Sequence, residues 1–374
     1  APVDCPRLAR TLRDIFAIQW SDNVKARVLN DACCNSYHTG LTAVPCRSQL
    51  LLYDYYARKA LRQGTSPKRR QKTDAATRSA DMNLQTVAAV DVGSNAVRCL
   101  ISDVSRLRPD RPAKKSAYLR IPLRLGADVF ARGRISDEKK ALFREAMQAL
   151  AHLMRAYSVD HYRICATSAM RDAANGLDLL AAVKADTGLD MSIISGIEEA
   201  EILFEANVFS RYMEDSEAVL YVDVGGGSTE IVLARGGLLV EAFSFQVGTL
   251  RLLAGAVAPD ERRRLARELA SLTKTYQPRK IIATGGNINK IAKLLDKKEG
   301  KSATPQELRN LHMALRGLSL EDRMDKFRLN SFRADVIVPA LEIFLEVADT
   351  VGATRIIIPK IGLVDGIVRH MCLH

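Results

Sequence analysis

The sequence predicts an α/β fold made of two related domains, and three features carry that prediction. From residue 84 onward, short apolar stretches alternate with amphipathic ones of helical period. After residue 216 the same scheme starts again. Finally, "AAVDVGSNAVRCLI" (88–101) and "LYVDVGGGSTEIVL" (220–233) share one plan. Each reads as an apolar strand, Asp-Val-Gly, small polar residues and a second strand, with Asp91 and Asp223 in matching places. Self-similarity at the scale of a domain points to duplication and not to a solenoid.

In chain order, the first 81 residues stand apart. They hold four of the seven cysteines and the only tryptophan, and show no strand-like alternation. Residues 8–20 and 48–63 read as amphipathic helices, and 64–83 as a polar linker. Met82 is the first methionine, so we expect the natural product to begin there and 1–81 to be a basic, poorly packed extension. The competing reading is a small helical module. Beyond it, "QTVAAVDVGS" and "VRCLISDVS" form a hairpin, and 137–159 has apolar residues at helical spacing. "YRICATSA" is a strand running into one helix over "MRDAANGLDLLAAVKADTG", and "SIIS" is a short strand before a helix at 198–213. The second half gives strands 218–224, 230–235 and 238–245, helix 259–275, strand 280–284 and helix 287–296. Domain I is expected over 82–207 and domain II over 208–374, with a C-terminal helix returning to domain I and a hinge near 207–217.

Composition narrows the function classes. The chain has 374 residues, 47% hydrophobic and 26% charged, which suits globular domains with substantial cores. No apolar run is long enough to span a bilayer and no secretory pattern opens the sequence, so no membrane is expected. The cysteines show no metal-ligand spacing, and their odd number suits free thiols in a reducing cytoplasm. Net charge is +12, but residues 1–81 carry 14 Lys/Arg against 7 Asp/Glu while the other 293 carry 41 against 36. A basic run such as "SPKRRQK" reads as a solvated tail, and nucleic acid is not the expected partner.

The glycine turns carry the chemistry. In "YVDVGGGSTEIVLARGG" the chain continues after the glycines as a strand, so the dinucleotide fingerprint, which opens a helix, does not apply. What remains is a tight hairpin whose bare backbone lets amide groups approach phosphate oxygens, with Ser228 and Thr229 adding hydroxyls. A plain hairpin turn would use similar residues; the duplication favours the binding reading. Asp223 and Glu230 frame the turn, and carboxylates beside phosphate call for a cation such as Mg²⁺. Asp91 could reach the same ion through water, or merely cap its own turn. "IIATGGNINKIAKLL" ends a strand at Gly285-Gly286 and starts a helix, a setting that favours anions. "ICATSAMRDAAN" offers Arg171, whose fork suits phosphate or a surface pair with Asp172 or Asp178. In "ISGIEEAEILF" helix phase turns Glu199 to the apolar side and leaves Glu198 with Glu201 and Glu205 in solvent. An inward carboxylate beside phosphate is a candidate general base.

Taken in order, "AVDVGSNAVR", "TSAMRDAAN", "SGIEEAE", "VDVGGGSTEIV", "FQVGTLRL" and "ATGGNINKIA" resemble the exopolyphosphatase/guanosine pentaphosphate phosphohydrolase (Ppx/GppA) family, over about 87–370 and in its short two-domain form. The resemblance implies two duplicated ribonuclease-H-like domains of the actin/hexokinase/Hsp70 superfamily with a cleft between them. It implies Glu199 as catalytic base, Asp223 and Glu230 for metal and water, and Asp91 on the opposite wall. Phosphate contacts would fall on Ser94, Asn95, Arg171, Gly225, Gly226, Gly227, Ser228, Gly285 and Gly286. Mg²⁺, or Mn²⁺, would be the cofactor. "VIVPALEIF" and "GLVDGIV" depart from the commoner patterns, the second losing an Arg, which bears on substrate choice more than on the reaction. The expected activity is release of orthophosphate from inorganic polyphosphate. Guanosine pentaphosphate hydrolysis and a non-catalytic phosphate or nucleotide sensor are the alternatives, and a homodimer is compatible with either. A kinase would need an acceptor pocket, for which no feature stands out. The lysine-rich 296–306 would be a solvated loop or a steering patch for a polyanion.

Overall fold

The structure, a computed structural model, describes residues 27–29, 35–37, 84–105, 113–206, 217–298 and 300–373. The chain divides into two units, Ala1–Asp81 and Met82–His374. In the first, β1 (Arg27–Leu29) pairs antiparallel with β2 (Asn35–Tyr37). Three residues each are too few to show a hydrophobic period, so the sequence did not announce them. The helices read at 8–20 and 48–63, the 64–83 linker and the Met82 start lie outside the described residues.

The second unit contains two sheets of one design. β3 (Leu84–Val92), β4 (Val97–Ser105), β5 (Lys114–Ile121), β6 (His161–Ala166) and β7 (Ser192–Ile193) lie in the order β5-β4-β3-β6-β7. β8 (Ala218–Val224), β9 (Thr229–Arg235), β10 (Leu238–Phe245), β11 (Lys280–Thr284), β12 (Ser302–Ala303) and β13 (Arg355–Ile357) lie in the order β10-β9-β8-β11-β13-β12. In both, a three-stranded antiparallel meander continues into parallel strands. β12 is the second sheet's addition. β3 and β8 are central, covered on both faces, and read as near-continuous apolar runs for that reason. Both end in an Asp and a glycine turn, so the duplication places the two turns at equivalent strand ends in the two sheets.

Helices cover the sheets. α1 (Leu125–Arg132) and α2 (Asp137–Ala156) pack on the first, α2 capped by Ser136 and burying Phe143, Met147, Leu150 and Met154. The single helix expected over 170–188 is two: α3 (Ser168–Asp172) and α4 (Gly176–Thr187). Ala173 is extended between them, and the Asn175 amide bonds both backbone groups of Ile135. Those bonds compete with helix continuation. A side chain at Gly176 would meet the Met170 carbonyl at 2.3 Å, so the break also allows a close approach.

α5 (Gly196–Glu205) and the final helix connect the halves. Ala200 of α5 packs with Val219, Tyr221, Val232 and Ala234 of the second sheet. α6 (Thr249–Leu253), α7 (Pro259–Tyr276), α8 (Gly285–Leu294), α9 (Pro305–Arg316), α10 (Leu320–Phe327), α11 (Ser331–Ala334) and α12 (Ile337–Val351) follow, most of them closing one face of that sheet. Pro339 stands in the first turn of α12, where its missing N–H costs no helical bond. α13 (Leu363–Leu373) then inserts Leu363, Val364, Ile367 and Val368 against Val87, Ala89 and Leu100 of the first sheet. Gly366 permits this: a Cβ there would lie 2.2 Å from the Ile202 carbonyl of α5. The segment 207–216, where the hinge was expected, lies outside the described residues.

Candidate active site

Both glycine turns close alike. The Gly93 N–H donates to Ala96 O (3.2 Å) and the Gly225 N–H to Ser228 O (2.9 Å). The turns face one another: a Cβ on Gly226 would stand 3.0 Å from Ser94 Cβ, and one on Gly227 2.8 Å from Ser94 Oγ. Between and around them lies a cavity of about 320 Å³. Asp91, Ser94, Asn95, Glu199, Asp223, Gly225, Gly226, Gly227, Ser228, Gly285 and Gly286 line it, bringing together most residues singled out from sequence.

The "FQVGTLRL" motif explains the triple glycine. Gly225 O accepts from the Thr249 N–H (3.1 Å), Gly226 O from the Leu250 N–H (2.8 Å) and Gly227 O from Arg251 Nε (2.8 Å). With three successive carbonyls held by α6, the peptide planes are fixed. Among the described residues the Gly226 and Gly227 N–H groups have no protein acceptor. Two fixed amide donors beside a cavity suit an anion. Gly248 lets α6 come this near, because a Cβ would lie 2.5 Å from Gly227 C. Other expected donors are spent: the Gly225 N–H in its own turn, the Gly285 N–H on Ile361 O (3.1 Å), and Thr229 Oγ1 on Val247 O (2.5 Å). Gly285 has φ +86°, a left-handed conformation that suits glycine, and a Cβ there would strike Asp223 Oδ1.

The duplicated hairpins differ in one telling pair. In the first, Asp91 lies across from Arg98, and the two form an ion pair. In the second, Asp223 lies across from Glu230. Directly opposed like charges repel. Burial, above all, pushes Asp223 up to about 6, against the pull of Arg98 and a 3.1 Å bond from Thr284 Oγ1. Burial likewise pushes Glu230 up to about 7; Ser244 Oγ donates to it at 2.9 Å. Glu230 is not among the residues that line the cavity and is buried, 3% exposed. Asp91 is paired with Arg98 and lines the cavity on the wall opposite Asp223. Among the described residues no three acidic, His or Cys side chains form a metal cluster.

Glu199 sits in the first turn of α5, whose Ser195 cap accepts the Glu198 N–H (3.0 Å). Gly196 lets this turn settle on β10; a Cβ would fall 2.1 Å from Ser244 Oγ. Glu199 Oε2 is buried with no hydrogen-bond partner. Burial raises its pKa well above the usual carboxyl value, and Glu230, Asp91 and Asp223 raise it further. Its neighbours differ from the sequence reading. Glu198 pairs with Arg163 (2.9 Å) and Glu205 with His370 (2.6 Å), so only Glu201 of that stripe is simply solvated, because β6 and α13 bring Arg163 and His370 to the other two. Arg171 does not line the cavity, and neither surface pair forms: its Nη1 donates to Ile194 O (2.7 Å), while Asp172 pairs with Arg251.

Several cavity residues were not foreseen. Arg98 stands at the end of the quoted "AVDVGSNAVR", and counting the hairpin register would have set it opposite Asp91. Arg333 and Arg98 converge on Gly286, where a Cβ would meet their guanidinium groups at 2.9 and 3.2 Å. Burial, then Arg120 and Arg98, bring Arg333 down to about 10. Arg120 Nε and Nη2 are buried without partners. Tyr118, Lys115, Asn289 and Lys360 complete the rim. These come from distant segments, and no local pattern marks them. Asp365, in the departing "GLVDGIV", pairs with Lys115 (2.6 Å).

A cleft between two like-folded domains, lined by free amides, arginines and one unpartnered carboxylate, defines a phosphoanhydride hydrolase of the actin-like class. The chain belongs to the Ppx/GppA phosphatase family, whose model matches residues 117–374. It is 30% identical over 322 residues to "Exopolyphosphatase 2" of Mycobacterium tuberculosis, covering 76% of this chain and 98% of the relative. A crystal structure of the Aquifex aeolicus Ppx/GppA member superposes with a TM-score of 0.63 at 25% identity, covering 78% of this chain and 98% of that one. An exopolyphosphatase from Cytophaga hutchinsonii gives 0.68 at 21% identity, over 77% and 98% of the two chains, a likeness of fold. No helix among the described residues is long and apolar enough to cross a membrane.

Proposed function

We propose that the chain is an exopolyphosphatase that hydrolyses the terminal phosphate of inorganic polyphosphate and releases orthophosphate. The observation that carries this reading is Glu199 Oε2, a buried carboxylate oxygen with no protein partner, on the cavity wall beside the free amides of Gly226 and Gly227. In this reading those amides hold the terminal phosphate's oxygens. Glu199 accepts a proton from a water positioned for in-line attack on the phosphorus. Arg98 and Arg333, which face each other across Gly286, bind the phosphates that follow. Arg171 and Ser244 hold α5 and Glu230 in place around Glu199.

The residues present fit Mg²⁺ or Mn²⁺. Asp223 and Glu230 oppose each other with no direct ion pair among the described residues, whereas Asp91 has Arg98. One or two carboxylates with substrate oxygens are a usual Mg²⁺ set. We assign the ion to Asp223, with Glu230 behind it; when bound it would neutralise phosphate charge at the reacting end.

Guanosine pentaphosphate stays as a second substrate because Tyr118 presents a 55% exposed ring at the cavity rim, within reach of a base. Orthophosphate release from tripolyphosphate, long polyphosphate and guanosine pentaphosphate, each with Mg²⁺ and with chelator, tests the reading. The expected result is Mg²⁺-dependent release with kcat/KM at least about tenfold higher on polyphosphate, a difference of ~1.4 kcal/mol. Binding of all three with no release would leave a sensor, and the reverse preference would make the nucleotide the substrate.

A further inference from the structure

The cations at the cavity rim do not stop at the rim. α8 leaves Gly286 carrying Asn287, Lys290 and Lys293 at spacings of three, which sets them along one side of the helix. From Asn287 to Lys293 the helix rises about 9 Å. Arg333 Nη1 donates to Asn287 Oδ1 (3.1 Å), so the guanidinium is docked at the head of this row. Neither Lys290 nor Lys293 has an ion-pair partner among the described residues. Several carboxylates of the second sheet's helices are committed elsewhere: Glu307 to Lys297 (2.6 Å), Asp335 to Arg124, Asp349 to Arg309 (2.7 Å) and Asp322 to Lys326 (2.9 Å). Lys297, the lysine of the 296–306 loop nearest in sequence to the row, is therefore paired, while Lys290 and Lys293 on the helix stay open.

We propose that Lys290 and Lys293 form a distal subsite along α8, which takes the phosphates of a long polyphosphate chain as it leaves the cavity past Arg333 and gives the enzyme a preference for long chains. This rests on the phosphohydrolase reading and deepens it. Lys290 is partly buried and Lys293 exposed. Burial lowers the Lys290 pKa first, then repulsion from Lys293 and from Arg333. Arg333 in turn is repelled by Arg120 and Arg98. Arg333 is thus the shared member of an inner arginine cluster and an outer lysine row. Such a line of like charges is relieved by a linear polyanion lying along it. Orthophosphate or a short chain held in the cavity would leave the two lysines untouched.

The test uses the full chain and its Lys290→Gln/Lys293→Gln variant. Dissociation constants for tripolyphosphate and for a polyphosphate of about 100 units are measured in chelator across a salt series, and orthophosphate release is measured separately with Mg²⁺. The variant should bind the long chain several-fold more weakly, with its salt slope reduced by about 1.5, as loss of two phosphate contacts implies. Its affinity for tripolyphosphate should not change, which also reports that it is folded. Should the double variant not fold, Lys293→Gln alone, at an exposed position, should show the same selective loss to a smaller extent. Equal affinity of variant and wild type for the long chain, or equal loss for both ligands, overturns the subsite. Length-selective loss without orthophosphate release would sustain the subsite and overturn the hydrolase reading instead.

Discussion

Replacing Glu199 by Gln is expected to lower kcat by about 10²–10⁴-fold, the usual share of a positioned general base, with KM for polyphosphate changed little. The amide keeps the shape of the carboxylate but cannot take a proton from water. The variant also loses the negative charge that Glu230, Asp91 and Asp223 oppose. If anything, it should bind the polyanion somewhat more tightly. The pH profile adds a second readout. Because burial raises the Glu199 pKa, the wild-type rate should climb with pH through an inflection well above the ordinary carboxyl value. Initial rates on tripolyphosphate with Mg²⁺, with equilibrium binding by both proteins, check this. A Glu199→Gln variant that turns over at the wild-type rate would remove the base from the mechanism.

The second large effect is on stability. Glu230 titrates near 4.5 when unfolded and at about 7 in the fold. Below about pH 4.5 both states hold the proton and the fold is not penalised. Between about 4.5 and 7 the folded carboxyl keeps a proton that the unfolded one has released, so stability falls as pH rises. Above about pH 7 the loss is complete, on the order of 3 kcal/mol for this group. Glu230→Gln removes the penalty while keeping an acceptor for Ser244 Oγ. Thermal unfolding in chelator should therefore show the variant several degrees more stable than wild type at pH 8, with the gap closing by pH 5. The same gap at both values would contradict a buried, proton-holding Glu230. Mg²⁺ should narrow the difference at pH 8 by stabilising the charged pair. A fold that tolerates such opposed carboxylates has accepted a stability cost at the proposed ion site.

Much of this was legible because the duplicated hairpins are local. The strands at 218–224, 238–245 and 280–284 were readable from apolar runs bounded by turn residues, and the structure has those limits. Helix phase alone separated Glu199 from Glu198. What escaped was set by tertiary contact. The α3–α4 break depends on Asn175 meeting Ile135, forty residues away. The arginines that line the cavity come from β4 and α11, whose convergence no window of sequence records. Arg171 read as a phosphate fork because its type and motif fit; the bond from its Nη1 to Ile194 O depends on a residue 23 positions away and was not legible. Glu230 was read beside Asp223, and the register sets the two directly across from each other, with Ser244 Oγ bonded to Glu230.

The mechanism is tested most directly by hydrolysis of tripolyphosphate in ¹⁸O-labelled water with the wild-type chain and Mg²⁺. Attack of a Glu199-activated water on the terminal phosphorus predicts one ¹⁸O in every orthophosphate released and none in the pyrophosphate left behind. Label in the pyrophosphate would mean that the inner phosphorus is attacked, and the arrangement of Gly226, Gly227 and Glu199 around the chain end would be wrong.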